Sequence, residues 1–223
     1  MPDVALDPSP AEARYHHGSL RQTLVEVGLE LARQGGPEAV VVREASRRAG
    51  VSHNAAYRHF PDRSGFLDAV SARCMDILAR RMEARMEAVT LEEGRGDDLP
   101  RLESLRFHAT GEAYFAFALE EPGWYRTAYT CRQGAAGPAG AGGDHGDGPG
   151  PFEILSARLD ALMETGGLRP GAREGADVAV WSAVHGLAML ILEGPLGSLP
   201  ETQRQDAIDS VLGLLGGALL TWK

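Results

Sequence analysis

The sequence predicts an all-α protein with a small N-terminal head and a larger helical body. Three observations support this prediction. Residues 43–62 read as two short helices joined by a tight turn, which is a helix-turn-helix. Several other segments repeat apolar residues with the 3.6-residue period of an amphipathic helix. At 223 residues the chain exceeds the usual size of one domain, so head and body can each form a core.

The first helix is expected to follow a disordered arm at residues 1–13. It is predicted to run from about Ser19 to Gln34 and to end at Gly35-Gly36-Pro37. Its apolar residues recur on one face at i, i+4, i+7 and i+11, namely Leu20, Leu24, Val27 and Leu31. We place the helix-turn-helix domain at residues 14–62 and the body at residues 63–223.

Small residues mark the point where the two helices of the helix-turn-helix cross. Ala45 and Ala49 lie four positions apart on one helical face, and Gly50 supplies the positive φ that the turn needs. Val51 then fills the angle between the helices. Ser52 has the side chain needed to cap the helix that follows.

The helix after Ser52 is predicted to have one inward and one outward face. Ala56 and Phe60, at i and i+4, face inward. The outward face carries an imidazole, an amide, a phenol and a guanidinium, from His53, Asn54, Tyr57 and Arg58. Such a face can hydrogen-bond base edges in the major groove and can also bind phosphates.

A longer helix is expected from Asp62, which can cap it, to about Val89. Its inward residues are predicted to be Phe66, Val70, Cys74 and Ile77. Because this helix links the head to the body, it can act as a lever between them.

The head resembles the N-terminal domain of TetR-family transcriptional regulators over roughly residues 15–70. The resemblance rests on Tyr15-His-His-Gly-Ser-Leu-Arg21, Arg43-Glu-Ala-Ser-Arg-Arg-Ala-Gly-Val-Ser52, Tyr57-Arg-His-Phe60 and Phe66-Leu67. It implies an all-α homodimer in which the head binds operator DNA and the body binds a small molecule. The family usually has a Thr or Ser before the second helix; here Val41 or Val42 stands there, so one capping hydroxyl is missing.

The resemblance also implies which side chains contact DNA. Arg43, His53 and Asn54 occupy positions that commonly meet base edges, and Ala55 offers a methyl group that can meet a thymine methyl. Positions that commonly meet phosphates hold Tyr57, His59 and Arg63, of which Tyr57 and His59 can instead be partly structural. With Ser52, these residues form the predicted DNA-binding set.

Charge is distributed in agreement with this division. Residues 14–85 hold 12 arginines and 8 acidic residues, whereas the whole chain has a net charge of −9. A basic head on an acidic body orients the molecule towards a polyanion.

The body is predicted to contain five helices: Arg101–Glu120, one starting at Trp124, Phe152–Thr165, Arg173–Leu192 and Glu201–Trp222. Residues 133–151 include 8 Gly, 4 Ala and 3 Pro, so we expect a flexible loop there. A phosphate-binding loop at Gly140–Gly146 is disfavoured because it lacks a preceding strand and a Lys-Ser/Thr ending.

The last two helices, about 173–192 and 201–222, are predicted to form the homodimer interface that the family implies. The first is expected to place Val178, Trp181, His185, Ala188 and Leu192 on one face. The second does the same with Ile208, Val211, Leu212, Leu215, Leu219 and Trp222. Gly213 and Gly217 favour close helix approach. Trp181, His185 and Gly186 also resemble the Trp-His-Gly signature of one C-terminal subclass.

Aromatic residues of the body are candidates for a small-molecule site. They are Tyr114, Phe117, Trp124 and Tyr125, joined by Trp181 and His185. All can instead be core residues, and His185 can be a hydrogen-bonded core or interface group. Ligand pockets are commonly apolar and aromatic with few polar anchors. The sequence does not identify the effector.

Other classes of function are disfavoured. The scattered Ser, His and Asp residues show no catalytic constellation, and no spacing suggests a metal or cofactor site, so we predict no enzyme. The N-terminus lacks an export signal and the longest apolar stretch, near Val211–Leu220, is too short to span a membrane, which predicts a cytoplasmic protein. A ligand-responsive transcription regulator, usually a repressor, is the leading hypothesis. The alternative is a protein-binding adaptor that retains the fold without specific DNA affinity.

Overall fold

The computed structural model describes residues 10–94, 98–130 and 148–221. Within these ranges it contains α-helices, two short 3-10 helices and no strand beyond one bridge between Leu168 and Leu220, which confirms the all-α prediction. The helices are α1 Pro10–Gly35, α2 Val42–Arg48, α3 His53–His59, α4 Arg63–Glu93, α5 Leu99–Glu120, α6 Pro122–Ala128, α7 Pro151–Glu164, α8 Ala176–Leu192 and α9 Glu201–Leu219.

The head consists of α1 to α3 and the first turns of α4. Its core joins apolar residues of all four helices, including Leu24, Ala45, Ala56, Phe66 and Cys74, each with no exposed surface. The first helix begins at Pro10 instead of the expected Ser19. Residues 10–13 of the predicted disordered arm therefore belong to α1, and residues 1–9 lie outside the described part.

α4 runs from the head into the body over 31 residues. Asp62 caps it as predicted, since the carboxylate accepts a hydrogen bond of 2.8 Å from the Gly65 N–H. Phe66, Val70 and Cys74 are fully buried, but the next fully buried residue is Leu78, while Ile77 is only partly buried. The buried side of α4 shifts around the helix axis, because the helix leaves the head core and enters the body core.

The body core lies between helices α4 to α9. Its fully buried large side chains include Phe117, Tyr125, Leu159 and Leu162. The body helices α5, α6, α7 and α9 begin within two residues of their predicted starts, and α6 begins at Pro122 instead of Trp124. The largest difference is in α8, which begins at Ala176 instead of Arg173. Gly175 adopts a left-handed φ of 70° before the helix, and Arg173 Nε instead donates to Asp160 at 2.6 Å.

The buried face of α8 differs from the prediction. Val178 was expected on one face with Trp181 and Ala188, but it is 53% exposed, whereas they are 9% and 0% exposed. Nearly every position of α8 is apolar or small, so the sequence offers several equivalent faces. Packing against α5 and α7 selects a row at i, i+4, i+7 and i+11, formed by Val180, Val184, Leu187 and Ile191.

α9 buries Ile208 and Leu212 as predicted, and Val211, Leu215 and Leu219 pack against the core at its edge. Trp222 lies outside the described residues. The predicted flexible loop at 133–151 also falls largely outside them, since residues 131–147 are not described, and Pro151 is already the first residue of α7. No helix in the described ranges is long and apolar enough to cross a membrane.

Candidate functional site

The turn between α2 and α3 forms as the sequence predicts. Gly50 has a φ of +68°, a conformation that residues with a Cβ rarely adopt. The Val51 N–H donates to the Ser46 carbonyl at 3.1 Å and closes the turn. Ala45, with no exposed surface, lets the two helices approach each other. The angle between α2 and α3 is therefore fixed locally.

α3 presents a polar outer face to solvent, while its apolar inner face packs against the head core. Ala56 and Phe60 are 0% and 2% exposed, which anchors the helix to the head core. The Ser52 hydroxyl accepts a hydrogen bond of 3.2 Å from the Ala55 N–H and caps the helix. The residues left on the surface are His53, Asn54, Tyr57 and Arg58. These are the four predicted from the sequence.

Two rings on this face touch each other. The centroids of the His53 and Tyr57 rings are 4.2 Å apart, at adjacent turns of α3. The contact restricts the rotamers of both side chains before any DNA is bound. The other predicted members differ in exposure: Arg43 on α2 is exposed, whereas Ala55 and His59 are half-buried. As expected, no side chain caps α2 at Val41.

Arg63 makes two backbone contacts that the sequence did not predict. Its Nε donates to the Val40 carbonyl at 3.1 Å and its Nη2 to the Pro37 carbonyl at 2.6 Å. The guanidinium therefore connects the start of α4 to the turn before α2. More than twenty residues separate these partners, so no local pattern in the sequence signals the contact. Arg63 is exposed, and its role as a phosphate ligand stays a prediction.

Four of the six predicted ligand-binding residues meet inside the body. The Tyr114 and Tyr125 hydroxyls lie 3.1 Å apart, and each is 2.9 Å from Nδ1 of His185. Trp181 packs edge-on against Tyr114 with ring centroids 5.6 Å apart. Burial lowers the pKa of His185 below its usual 6.5 and raises the pKa of both tyrosines, so all three groups are neutral near pH 7. We call Tyr114, Tyr125 and His185 the hydroxyl–imidazole triangle.

Tyr129 completes the wall of this cluster, although the predicted ligand set omitted it. Its ring centroid lies 4.6 Å from that of His185 and 4.9 Å from that of Tyr125. Tyr129 lies four residues after Tyr125, and this spacing could have indicated that the two rings share one helical face. A cavity of about 20 Å³ adjoins Tyr114 and Trp181, enough for roughly one water molecule.

Phe117 and Trp124 do not join the triangle. Phe117 is fully buried beneath the Arg81 guanidinium, which lies 5.4 Å from its ring centroid. Trp124 faces the head, where its Nε1 donates to the Leu29 carbonyl at 2.8 Å and Arg33 lies over its ring. Their closeness to Tyr114 and Tyr125 in sequence did not reveal that they occupy other helical faces.

α6 connects the triangle to the head. On one side Tyr125 of α6 and Tyr129, which follows the helix, belong to the aromatic cluster. On the other side Gly123 packs so closely on α1 that an added Cβ would lie 2.2 Å from the Ala32 carbonyl oxygen. The Arg33 guanidinium also donates two hydrogen bonds of 2.8 Å to Glu121. A displacement of α6 therefore acts on both sites.

α8 and α9 leave an apolar surface uncovered. Val178, Leu190 and Leu214 are 53%, 46% and 73% exposed. Gly213 and Gly217 lie one turn apart on α9, and open space surrounds the position where each would carry a Cβ. Bare backbone next to exposed apolar side chains permits another helix to pack closely.

Comparison with known proteins follows this division of the chain. Residues 24–70 match the model of bacterial regulatory proteins of the tetR family, and residues 107–215 match a tetracyclin repressor-like C-terminal domain. The chain belongs to the tetR family. Its helix-turn-helix is accordingly the DNA-binding domain of a transcription regulator. Members of this family are transcription factors and not enzymes. The finer resemblance to the Trp-His-Gly subclass stays a prediction.

Solved structures show the same tetR-family fold. A protein of unknown function from Rhodococcus sp. RHA1 is 25% identical, with a TM-score of 0.67 and 93% and 98% of the two chains covered. A TetR-family transcriptional regulator from Pectobacterium atrosepticum is 21% identical, with a TM-score of 0.64 and coverage of 92% and 97%. RolR, solved in complex with resorcinol, is 14% identical, with a TM-score of 0.57 and coverage of 90% and 89%. Curated protein sequences contain no match.

Within the described ranges, no group of three or more His, Cys, Asp or Glu side chains could hold a metal ion.

Proposed function

We propose that this protein is a ligand-responsive transcriptional repressor that acts as a homodimer in the cytoplasm. The observation that carries the proposal is the outer face of α3, where His53, Asn54, Tyr57 and Arg58 are exposed while Ala56 and Phe60 anchor the helix. A helix held in this way can enter the major groove with its polar face towards base edges. Arg43 adds an exposed guanidinium at the start of α2.

Dimerisation is proposed through α8 and α9, within the regions 173–192 and 201–222. Support comes from the exposed Val178, Leu190 and Leu214 and from the bare backbone at Gly213 and Gly217. A two-fold dimer of this kind presents two recognition helices to successive major grooves, about 34–36 Å apart. The operator is accordingly proposed to be an inverted repeat.

The effector is proposed to bind beside the hydroxyl–imidazole triangle. Among the described residues, no charged side chain lines the adjoining cavity, and its walls include Met82, Leu155 and Trp181, which favours an uncharged, largely apolar molecule. RolR in complex with resorcinol provides a related fold with a small uncharged ligand. The cavity of about 20 Å³ is far smaller than the roughly 300 Å³ of an ordinary ligand pocket, so binding requires the body to open.

Release of DNA follows from that opening. A ligand that separates Tyr125 from His185 displaces α6, and α6 is bound to α1 through Gly123, Trp124 and Glu121. The ligand then favours a head position that does not fit the operator. Such coupling between sites is typically worth about 1–3 kcal/mol.

The test is selection of bound sequences from a random duplex library, followed by affinity measurements at low and physiological salt. We expect an enriched inverted repeat and an affinity that falls steeply with salt. No enriched motif together with salt-independent, weak binding would contradict the proposal and favour a protein-binding adaptor.

A further inference from the structure

Two arginines at the end of α2 share one carboxylate. Arg47 Nε and Nη2 donate to the two oxygens of Glu44 at 2.8 and 2.7 Å. Arg48 Nε donates to Glu44 Oε1 at 2.9 Å, and its Nη1 donates to Gln34 Oε1 at 3.0 Å. One acidic side chain thereby accepts hydrogen bonds from two nitrogens of Arg47 and one of Arg48 on the surface of the head.

The geometry of this cluster matters because a guanidinium binds a phosphate in the same way. Two parallel N–H donors meet two oxygens in both cases, so a carboxylate and a phosphate compete for them. Arg47 also lies four residues after Arg43, on the same face of α2, and its side chain is 72% exposed. It is therefore accessible to a DNA backbone that reaches Arg43.

We propose that Glu44 limits non-specific DNA affinity by holding Arg47 and Arg48 away from backbone phosphates. The inference rests on the proposed DNA-binding function and adds a residue that sets its selectivity. Non-specific binding consists almost entirely of phosphate contacts, whereas specific binding also gains base contacts. Engaging two arginines with Glu44 thus weakens binding to random DNA by a larger factor than binding to the operator.

Protonation does not release the arginines under ordinary conditions. Hydrogen bonds from Arg47 and Arg48 lower the pKa of Glu44 to about 2, so the carboxylate stays charged through the neutral range. Exposed ion pairs of this kind are weak and are screened by salt. A phosphate must therefore displace the Glu44 carboxylate before it can bind either guanidinium, and this competition weakens the contact.

The salt dependence of DNA binding tests this inference. Each added phosphate contact steepens the plot of log affinity against log salt by about 0.9. We expect Glu44→Gln to steepen the slope on a short random-sequence duplex by about 0.9–1.8, for one or two released arginines. The affinity ratio between operator and random DNA should fall at the same time.

Glu30→Gln is the matched control. Glu30 is an exposed acid on α1, and its replacement removes the same unit of charge from the head without releasing Arg47 or Arg48. We expect tighter binding with an unchanged slope. In the double variant Glu44→Gln/Arg47→Ala, the slope should be less steep than in Glu44→Gln by about 0.9, because one phosphate contact is lost again.

The outcomes separate this inference from the proposed function. If the wild-type protein binds random DNA and Glu44→Gln has the slope of Glu30→Gln, or binds more weakly, the role of Glu44 is overturned alone. If the wild-type protein binds no duplex, the DNA-binding proposal fails and the inference fails with it. A thermal melt of each variant shows that the head remains folded.

Discussion

Arg33 in α1 and Glu121 at the start of α6 are joined by two parallel hydrogen bonds of 2.8 Å. The Glu121 side chain is only 8% exposed, whereas that of Arg33 is 54% exposed. Replacing Arg33 by Ala leaves a nearly buried carboxylate with Arg81 Nη2, 3.7 Å away, as its remaining cation. The pair is thus the main electrostatic connection between the head and α6.

Arg33→Ala is expected to lower the free energy of unfolding by about 1 kcal/mol. Breaking a fully buried pair costs about 3–5 kcal/mol, and the exposure of Arg33 reduces this figure. Urea denaturation measures the change. Arg47→Ala, in an exposed pair, serves as the control and should show a smaller loss. Equal losses in the two variants would mean that Arg81 alone can compensate Glu121.

Gly123→Ala is expected to separate α6 from α1. The added Cβ would lie 2.2 Å from the Ala32 carbonyl oxygen, and backbone atoms there cannot move aside without shifting a helix. Such overpacking costs about 1–3 kcal/mol. Gly65→Ala is the control, because its Cβ would lie 3.6 Å from Asp62 and helix propensity favours Ala. A Gly123→Ala protein as stable as the control would show that the approach of these helices is loose.

Stability should depend on the protonation of His185. Burial lowers its pKa in the folded protein, so the unfolded chain takes up the proton first as the pH falls below 6.5. The folded state therefore loses stability from about pH 6.5 downward until the lowered pKa is passed. His185→Asn should remove this part of the pH dependence in urea titrations, whereas His53→Asn, on the exposed face of α3, should keep it. Parallel curves for wild type and His185→Asn would count against a buried neutral imidazole.

The dimer surface is tested by Leu214→Glu. A charge at this position, where the side chain is 73% exposed, should leave the fold intact but place carboxylates in the proposed interface. Sedimentation equilibrium should then show monomers. Leu91→Glu alters a residue that is 78% exposed at the far end of α4 and should remain dimeric. A dimeric Leu214→Glu protein would locate the interface elsewhere.

The two touching rings of α3 are expected to have different roles. His53→Ala should reduce the preference for the selected operator, because we propose that the imidazole contacts base edges. Tyr57→Phe should weaken binding to all sequences alike, since it removes only the hydroxyl that we propose contacts a phosphate. Affinities for operator and random duplexes measure both effects. The same proportional loss on both DNAs for both variants would refute this division.

Local chemistry made the head predictable from sequence. Gly50, Ser52 and Asp62 each determine a turn or a cap within a few residues, and all three do so in the structure. Glu44, with Arg47 and Arg48 at i+3 and i+4, forms an equally local arrangement, although it was not among the predicted DNA-binding residues.

Long-range packing made the body less predictable. α8 is apolar on several faces, so its inward row depended on α5 and α7. Val178 is therefore exposed, although Trp181, predicted on the same face, is buried. The same limitation applies to Phe117 and Trp124, whose partners Arg81 and Leu29 lie far away in sequence. Arg63 is a third case, because a carbonyl 23 positions away determines its orientation.

The seven residues of α6 touch both the triangle and the head, and this limits how freely the two parts can be exchanged. Gly123 and Trp124 contact the backbone of α1. The next residue of α6, Tyr125, forms a hydrogen bond with His185 in the body. A hybrid regulator that joins this head to the body of a relative must therefore take residues 121–124 from the head donor and match residue 125 to the new body.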